Sequence, residues 1–253
     1  MTPHPAFETV NEAGDPGLLL LCDHASNRVP ARVAGGDLGL PPEDMARHIA
    51  WDVGARGVTL GLAAALDCPA VLSTFSRLVI DPNRGEDDPT LVMKLYDGSI
   101  IPGNREVDGA EVAARLGAWH RPYHDAIRAA IGRAEARGVR PVLISIHSFT
   151  PQFRGRPPRP WHVGVLWDAD GRLALPLLAR LREEPDLCVG DNEPYTGALV
   201  GDCLWTHGTQ RGLAHALIEV RNDLIGDAAG QAAWAARLAA ILRDALDRMR
   251  AGA

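Results

Sequence analysis

Apolar runs alternate with amphipathic stretches along this chain, and several runs end on a residue that can bind metal or move a proton. Gly17–Cys22 runs into Asp23 and His24. Ala70–Ile80 carries Arg77 and runs into Asp81, Pro82, Asn83 and Arg84. Pro141–Ile146 runs into His147, and Ala214–Val220 carries Glu219 and runs into Arg221, Asn222 and Asp223. Short runs rich in Val, Ile and Leu, bounded by turn residues, read as buried strands. The pattern predicts strands at 17–22, within 70–80 (one strand or a pair), and at 141–146, 161–167, 186–189 and 214–220.

Helical periodicity fills the intervals. Pro41-Pro42-Glu43-Asp44 opens a helix that runs to about Leu66, with its acidic residues in the first turn. Further helices are predicted over about 108–138, with Pro122 as a kink, and over 173–184 and 228–250. In the last, Ala232, Ala235, Leu238, Ile241, Leu242 and Leu246 recur at helical spacing. The Gly/Pro-rich stretch 85–107, then 148–160 and 190–212, read as long loops, which in compact domains are usually lids, binding loops or disordered segments. The alternation predicts an α/β fold, one domain over residues 1–253, with a mostly parallel or mixed central sheet and helices on both faces. Ligands bind such sheets at the carboxyl ends of the strands, where the histidines, Glu219 and the arginines are expected.

Composition narrows the function. The formal charge of -6 argues against a nucleic-acid partner, which would meet a basic face. Lys94 is the only lysine, so a P-loop is excluded and Schiff-base chemistry is disfavoured. Four cysteines without C-x-x-C spacing read as reduced, buried thiols of a cytoplasmic protein. The first residues lack a basic segment followed by an apolar one, so they do not read as a secretory signal. No run reaches the ~18 apolar residues of a membrane span.

His24 and His147 share a strand-end placement, which raises the odds that both are metal ligands. Catalytic zinc takes three protein ligands and keeps one position open. Asp23, Asn27 and Asp52 are candidates for the third. Asp52 falls in an apolar stretch predicted helical and needs a partner if buried; a salt bridge or surface exposure would also account for it. Glu219, inside a predicted buried strand, is a general base, a metal ligand or half of an ion pair. Arg77, Arg84 and Arg221 are either surface charges or a clamp for a carboxylate. His207 is a substrate contact or a solvated loop residue. His120 and His124 are four apart on a predicted helix, but Pro122 lies between them and no H-E-x-x-H is present, which favours a structural role. There is no G-x-S-x-G elbow and no G-x-G-x-x-G after the first strand. Cys22 lies inside an apolar run and does not read as a nucleophile.

Four ordered motifs carry a family resemblance: Cys22–Asn27, Ser76–Arg84, Ile146–Ser148 and Ile218–Leu224. Together they resemble the N-formylglutamate amidohydrolase family over roughly residues 17–245. That family is similar in fold to zinc carboxypeptidases, a phosphorylase/hydrolase-like architecture, and to the aspartoacylase and succinylglutamate desuccinylase group. The resemblance implies His24 and His147 as zinc ligands, or ligands of another divalent metal. It implies Glu219 as general base, Asn83 and Arg84 as holders of substrate polar groups, and Arg77 as an aid to catalysis. The relatives' His-x-x-Glu ligand pair reads His24-Ala25-Ser26-Asn27 here. Either Asn27 binds through its amide oxygen, or Asp52 or Asp23 supplies the carboxylate, or metal affinity is weak. The implied substrate is a small N-acyl amino acid, by default N-formyl-L-glutamate. A hydrolase of another N-acyl amino acid or small peptide, and a metal-free binding protein on the same fold, remain alternatives.

Overall fold

The computed structural model describes residues 4–252, so residues 1–3 and 253 of the domain expected over 1–253 lie outside the described residues. The strands are β1 (Phe7–Val10), β2 (Leu18–Cys22), β3 (Ala70–Ser73), β4 (Leu95–Tyr96), β5 (Ser99–Ile100), β6 (Val142–Phe149), β7 (Val163–Leu166), β8 (Val189–Asp191) and β9 (His215–Arg221). The helices are α1 (Pro42–Met45), α2 (Ala55–Leu66), α3 (Gly109–Arg115), α4 (Arg121–Ala136), α5 (Gly171–Arg182), α6 (Cys203–His207) and α7 (Ala228–Ala251). Seven strands form one sheet in the order β1-β3-β2-β6-β9-β7-β8. Its centre, β3-β2-β6-β9, is parallel; β1 and β7 run antiparallel to their inner neighbours, and β8 is parallel to β7.

Both faces of the parallel centre are covered, which is why its strands read as continuous apolar runs. On one face Leu18, Leu20, Ile144, Ile146, Ala216 and Ile218 pack against α2, α5 and α7. On the other, Leu19, Leu21, Leu143 and Leu217 pack against Tyr123, Ile127 and Ile131 of α4 and against Cys203 and Leu204 of α6. Fully burying each of these aliphatic side chains contributes about 1.5–3 kcal/mol. The α4-side face changes character along the strands. Leu19 and Leu21 are followed by Asp23, Leu143 by Ser145 and His147, and Leu217 by Glu219. Register sets Leu21 beside Ser145 and His147 beside Glu219. The polar ends of three adjacent strands therefore gather at one edge.

Several expected elements are drawn differently. The helix expected from 42 to 66 is two helices separated by turns over 46–54. Asp52 lies in that connection, not in a helix, and its N–H donates to the His24 carbonyl at 3.0 Å. Gly54 ends the connection at φ +82°, and a Cβ there would lie 2.1 Å from the Ile225 carbonyl oxygen. Only 70–73 of the second apolar run is strand; Phe75, Leu78, Val79 and Ile80 leave the sheet and join Leu38, Leu91, Ile101 and Trp119 in a separate core. Before Pro122 the long helix widens into a π turn over Leu116–His120, accommodating a residue that has no N–H for the ladder. Strand β6 runs on to Phe149, so His147 is inside it. The 85–107 segment is held in place by two buried side chains: Asn104 Nδ2 donates to the Leu78 and Met93 carbonyls (2.7 and 2.8 Å), and Arg115 Nη1 to the Val79 carbonyl and Asn104 Oδ1 (2.8 and 2.7 Å). Of the four free thiols, Cys22, Cys68 and Cys203 are buried, but Cys188 is exposed, contrary to expectation. No described helix is long and apolar enough to cross a membrane.

Candidate active site

At the carboxyl ends of β2, β6 and β9, the two expected histidines meet Asp52. One ligand atom from each of His24, Asp52 and His147 lies within 4.8 Å of the others. His24 Nε2 is 2.7 Å from Asp81 Oδ1, and His147 Nε2 is 2.8 Å from Asp23 Oδ2. A carboxylate can only accept, so both Nε2 atoms donate. Their Nδ1 atoms face Asp52 Oδ2, at 3.4 Å from His24 and 2.8 Å from His147. Carboxylates behind ligand histidines fix ring orientation and tautomer in metal sites. The carboxylates are anchored in turn. Asp23 accepts from Tyr123 OH (2.9 Å) and Ser145 Oγ (2.6 Å), and Asp81 from Arg77 Nε and Nη2 (3.1 and 2.7 Å). Arg77 Nη1 stands 3.6 Å from Asp52 Oδ1, and its guanidinium lies over the Tyr96 ring at 5.4 Å.

The electrostatics favour a cation. Asp23, Asp52 and Asp81 are at most 3 % exposed. Burial alone would raise all three, but the histidines and Arg77 outweigh it and hold them below the usual carboxylate range. Three buried carboxylates face one guanidinium, so negative charge remains unless the imidazoles carry protons. Burial pulls His147 down, but Asp23 and Asp52 prevail and hold it well above its ordinary value. The proton between His147 Nδ1 and Asp52 is what a divalent ion would replace. His24 Nδ1 has no hydrogen-bond partner among the described residues, and neither has Glu219 Oε2. Two orphaned buried atoms beside a charge deficit fit a metal ion and a reactive group waiting for substrate. Burial pushes the Glu219 carboxyl up to about 7; His147 opposes this and Asp52 adds to it.

A second group, His124, Cys203 and His207, also brings three candidate ligand atoms within 4.8 Å. It is satisfied without an ion. His124 Nε2 must donate to the Pro82 carbonyl (3.0 Å), which leaves Nδ1 to accept from His207 Nε2 at 2.7 Å. Burial and Asp23 keep the Cys203 thiol protonated.

The histidines open onto a cavity of about 320 Å³, also lined by Asp52, Arg77, Asn83, Arg84 and Glu219. Arg84 gives Nη1 to the Asn83 carbonyl (2.8 Å) and Nε to Thr90 Oγ1 (3.2 Å), with Asp88 Oδ2 at 4.0 Å from Nε, and its Nη2 makes no hydrogen bond among the described residues. Three expected residues are elsewhere. Asn27 does not line the cavity; its amide donates to the Met45 carbonyl at 2.9 Å. Arg221 pairs with Asp223 (2.8 Å) and the Trp161 carbonyl (3.3 Å) outside the cavity. His207 is 1 % exposed and bound to His124, neither solvated nor at the cavity. Asp23 stands behind His147 rather than beside Asp52. Ser145 could have been read from the sequence, two residues before His147 on one strand face. Tyr123, which holds Asp23, and Tyr195 and Asp202, which line the cavity, arrive from distant segments and leave no local signal.

The family model for N-formylglutamate amidohydrolase matches residues 17–226. Comparison with curated proteins finds no match. Among solved structures, the chain is similar to the gene product Atu2144 from Agrobacterium tumefaciens, with 36% identity, 98% of this chain and 97% of that one covered, and a TM-score of 0.91. It shares its fold with an N-formylglutamate amidohydrolase from Ralstonia eutropha JMP134, at 23% identity, 99% and 100% coverage and a TM-score of 0.71. With the family model spanning most of the chain and all four of its ordered motifs, this protein belongs to the N-formylglutamate amidohydrolase family.

Proposed function

We propose that this amidohydrolase cleaves the amide bond of an N-acyl amino acid with a divalent metal, zinc in the first instance, held by His24, Asp52 and His147. N-formyl-L-glutamate, which would yield formate and L-glutamate, is the reference substrate that the family name supplies. The observation that carries the reading is the convergence of His24 Nδ1, His147 Nδ1 and Asp52 beside the unpartnered Glu219 carboxylate. Bound there, the metal would supply Lewis acidity toward the amide carbonyl and the attacking water. Glu219, buried beside the histidines with one oxygen unpartnered, takes the proton from that water and delivers it to the leaving nitrogen. Asp81 and Asp23 hold the two imidazoles in the tautomer that leaves Nδ1 free. Arg77 spends two donors on Asp81, so the aid to catalysis that the resemblance implies is chiefly positioning. Arg84 and Asn83 line the cavity and would take a substrate carboxylate through Nη2 and the side-chain amide.

The test is metal content and product release on purified protein loaded with zinc. His24→Ala and His147→Ala should each abolish stoichiometric zinc binding while the circular-dichroism spectrum stays native. Full zinc occupancy in the double variant would overturn the ligand set, and no release from any N-acyl amino acid by zinc-loaded protein would overturn the activity.

A further inference from the structure

A dicarboxylate substrate brings two charges out of water, and each needs a partner there. Apart from the proposed metal, which serves the amide, the cavity offers one. Among the described lining residues the guanidinium groups are Arg77 and Arg84. Arg77 is already matched by Asp81 and Asp52. The lining imidazoles outside the metal group are committed or neutral. His215 Nδ1 donates to the Leu213 carbonyl at 2.8 Å, and its Nε2 stands 3.2 Å from Thr209 Oγ1. Burial pushes His48 down to about 4. Arg159, close by, does not line the cavity; it lies over Phe153 at 4.0 Å and donates to Tyr195 OH and the Thr150 carbonyl.

Among the described residues the remaining wall carries no further cation; beside the neutral hydroxyls of Ser148, Tyr195, Thr196 and Thr209 it is apolar and acidic. Leu166, Trp167, Leu204 and Leu217 line it, with Asp168 and Asp202. Asp202 caps α6 through the Trp205 N–H (2.6 Å). A second substrate carboxylate would therefore meet hydrocarbon, neutral hydroxyls and acid where it needs a cation.

We infer that this cavity selects N-acyl amino acids with a single carboxylate, held by Arg84, and an apolar or aromatic side chain packed against Leu166, Trp167, Leu204 and Leu217. The inference rests on the amidohydrolase reading for its chemistry, but the side-chain preference can be read separately. A carboxylate left unpaired in such a pocket is rejected at least about tenfold relative to a side chain that fits, the scale at which pocket contacts discriminate.

The experiment measures kcat/KM of the zinc-loaded full chain on N-formyl-L-leucine, N-formyl-L-phenylalanine, N-formyl-L-glutamine and N-formyl-L-glutamate. In parallel, calorimetry on Glu219→Gln ranks the affinities of the same four compounds. Leucine and phenylalanine derivatives should exceed the glutamate derivative at least about tenfold in both, with glutamine, which keeps the shape without the charge, in between. Glutamate equal to or better than leucine in kcat/KM or in affinity overturns the inference and leaves the amidohydrolase reading intact. No turnover of any compound, with binding still ranked leucine above glutamate, overturns the hydrolytic reading and leaves the preference standing. No binding of any compound overturns both.

Discussion

Glu219 is a buried carboxyl with one oxygen unpartnered, set beside His147 by strand register, and its loss should be felt in the chemical step. Glu219→Gln keeps the shape and removes the base, so kcat should fall by roughly 10²–10⁴, the usual contribution of general acid–base catalysis, with zinc content unchanged. A fully active variant would place the base elsewhere. The base form is the ionised one, so activity should rise with pH along a limb set by Glu219. A cation at the histidines favours ionisation and moves that limb below the value of about 7 found without it. Arg84→Ala should act mainly through KM, because a substrate carboxylate is held alike in ground and transition states. A drop confined to kcat would assign Arg84 to the reacting carbonyl. Asp23→Asn tests the support behind His147: it should weaken zinc affinity by about 10–100-fold, the typical effect of removing a ligand's hydrogen-bond partner. Unchanged affinity would make Asp23 a packing residue only.

At the scale of elements, stability and chemistry separate. Leu238 of α7 is fully buried in the core against α2 and α5, remote from the cavity lining. Leu238→Ala should cost about 2–5 kcal/mol and lower Tm by on the order of 10 °C, with kcat and zinc content unchanged. Loss of zinc in the folded variant would show that the two layers are coupled. The same separation explains what could be read in advance. Strands β2, β6 and β9 are buried on both faces, so they announce themselves as apolar runs, and their chemistry follows at the carboxyl ends. The helices α5 and α7 carry clear periodicity. What escaped is set by tertiary context. Phe75–Ile80 is as apolar as a strand but fills a separate core, and a run of that length does not reveal which. The break before α2 depends on Gly54 meeting Ile225, residues far apart in sequence. Asn27 is a candidate ligand in sequence because it occupies the motif position of a carboxylate; the carboxylate that stands beside the two histidines is Asp52, on the connection that the break creates. Edge strand β1 is short, half-buried and partly polar, and lacks the signal of the central strands.

For the whole molecule, the response to acid is set by histidines kept neutral inside it. Burial pushes His124 down to about 4 and His207 down to about 3. Like charge works in the same direction, from His120 and Arg128 on His124 and from His124, Arg128 and Arg211 on His207, against Asp23 in both cases. His48 and His120 are lowered as well, again chiefly by burial. For a group whose folded pKa is depressed, the unfolded chain binds the proton first as pH falls. Its contribution is present above the ordinary value of about 6.5 and is lost as pH falls through the folded value. His147 has the opposite sign: its raised pKa contributes stability at low pH that is lost on the alkaline side. The depressed carboxylates Asp23, Asp52 and Asp81 act only below their ordinary range near 4. Between pH 6.5 and 4 the four buried neutral histidines, each adding a slope of up to about 1.4 kcal/mol per pH unit, outnumber Glu219 and Asp202, whose carboxyls, pushed up by burial to about 7 and about 6, act in the opposite sense over the same window. Urea denaturation of chelator-treated protein across that window should show stability falling as pH falls. His207→Gln removes one titrating ring while keeping a hydrogen-bonding side chain, and should flatten the slope even where it lowers stability at pH 7. A slope unchanged in the variant would mean that His207 is already solvated and titrates in the folded state as it does in the unfolded chain.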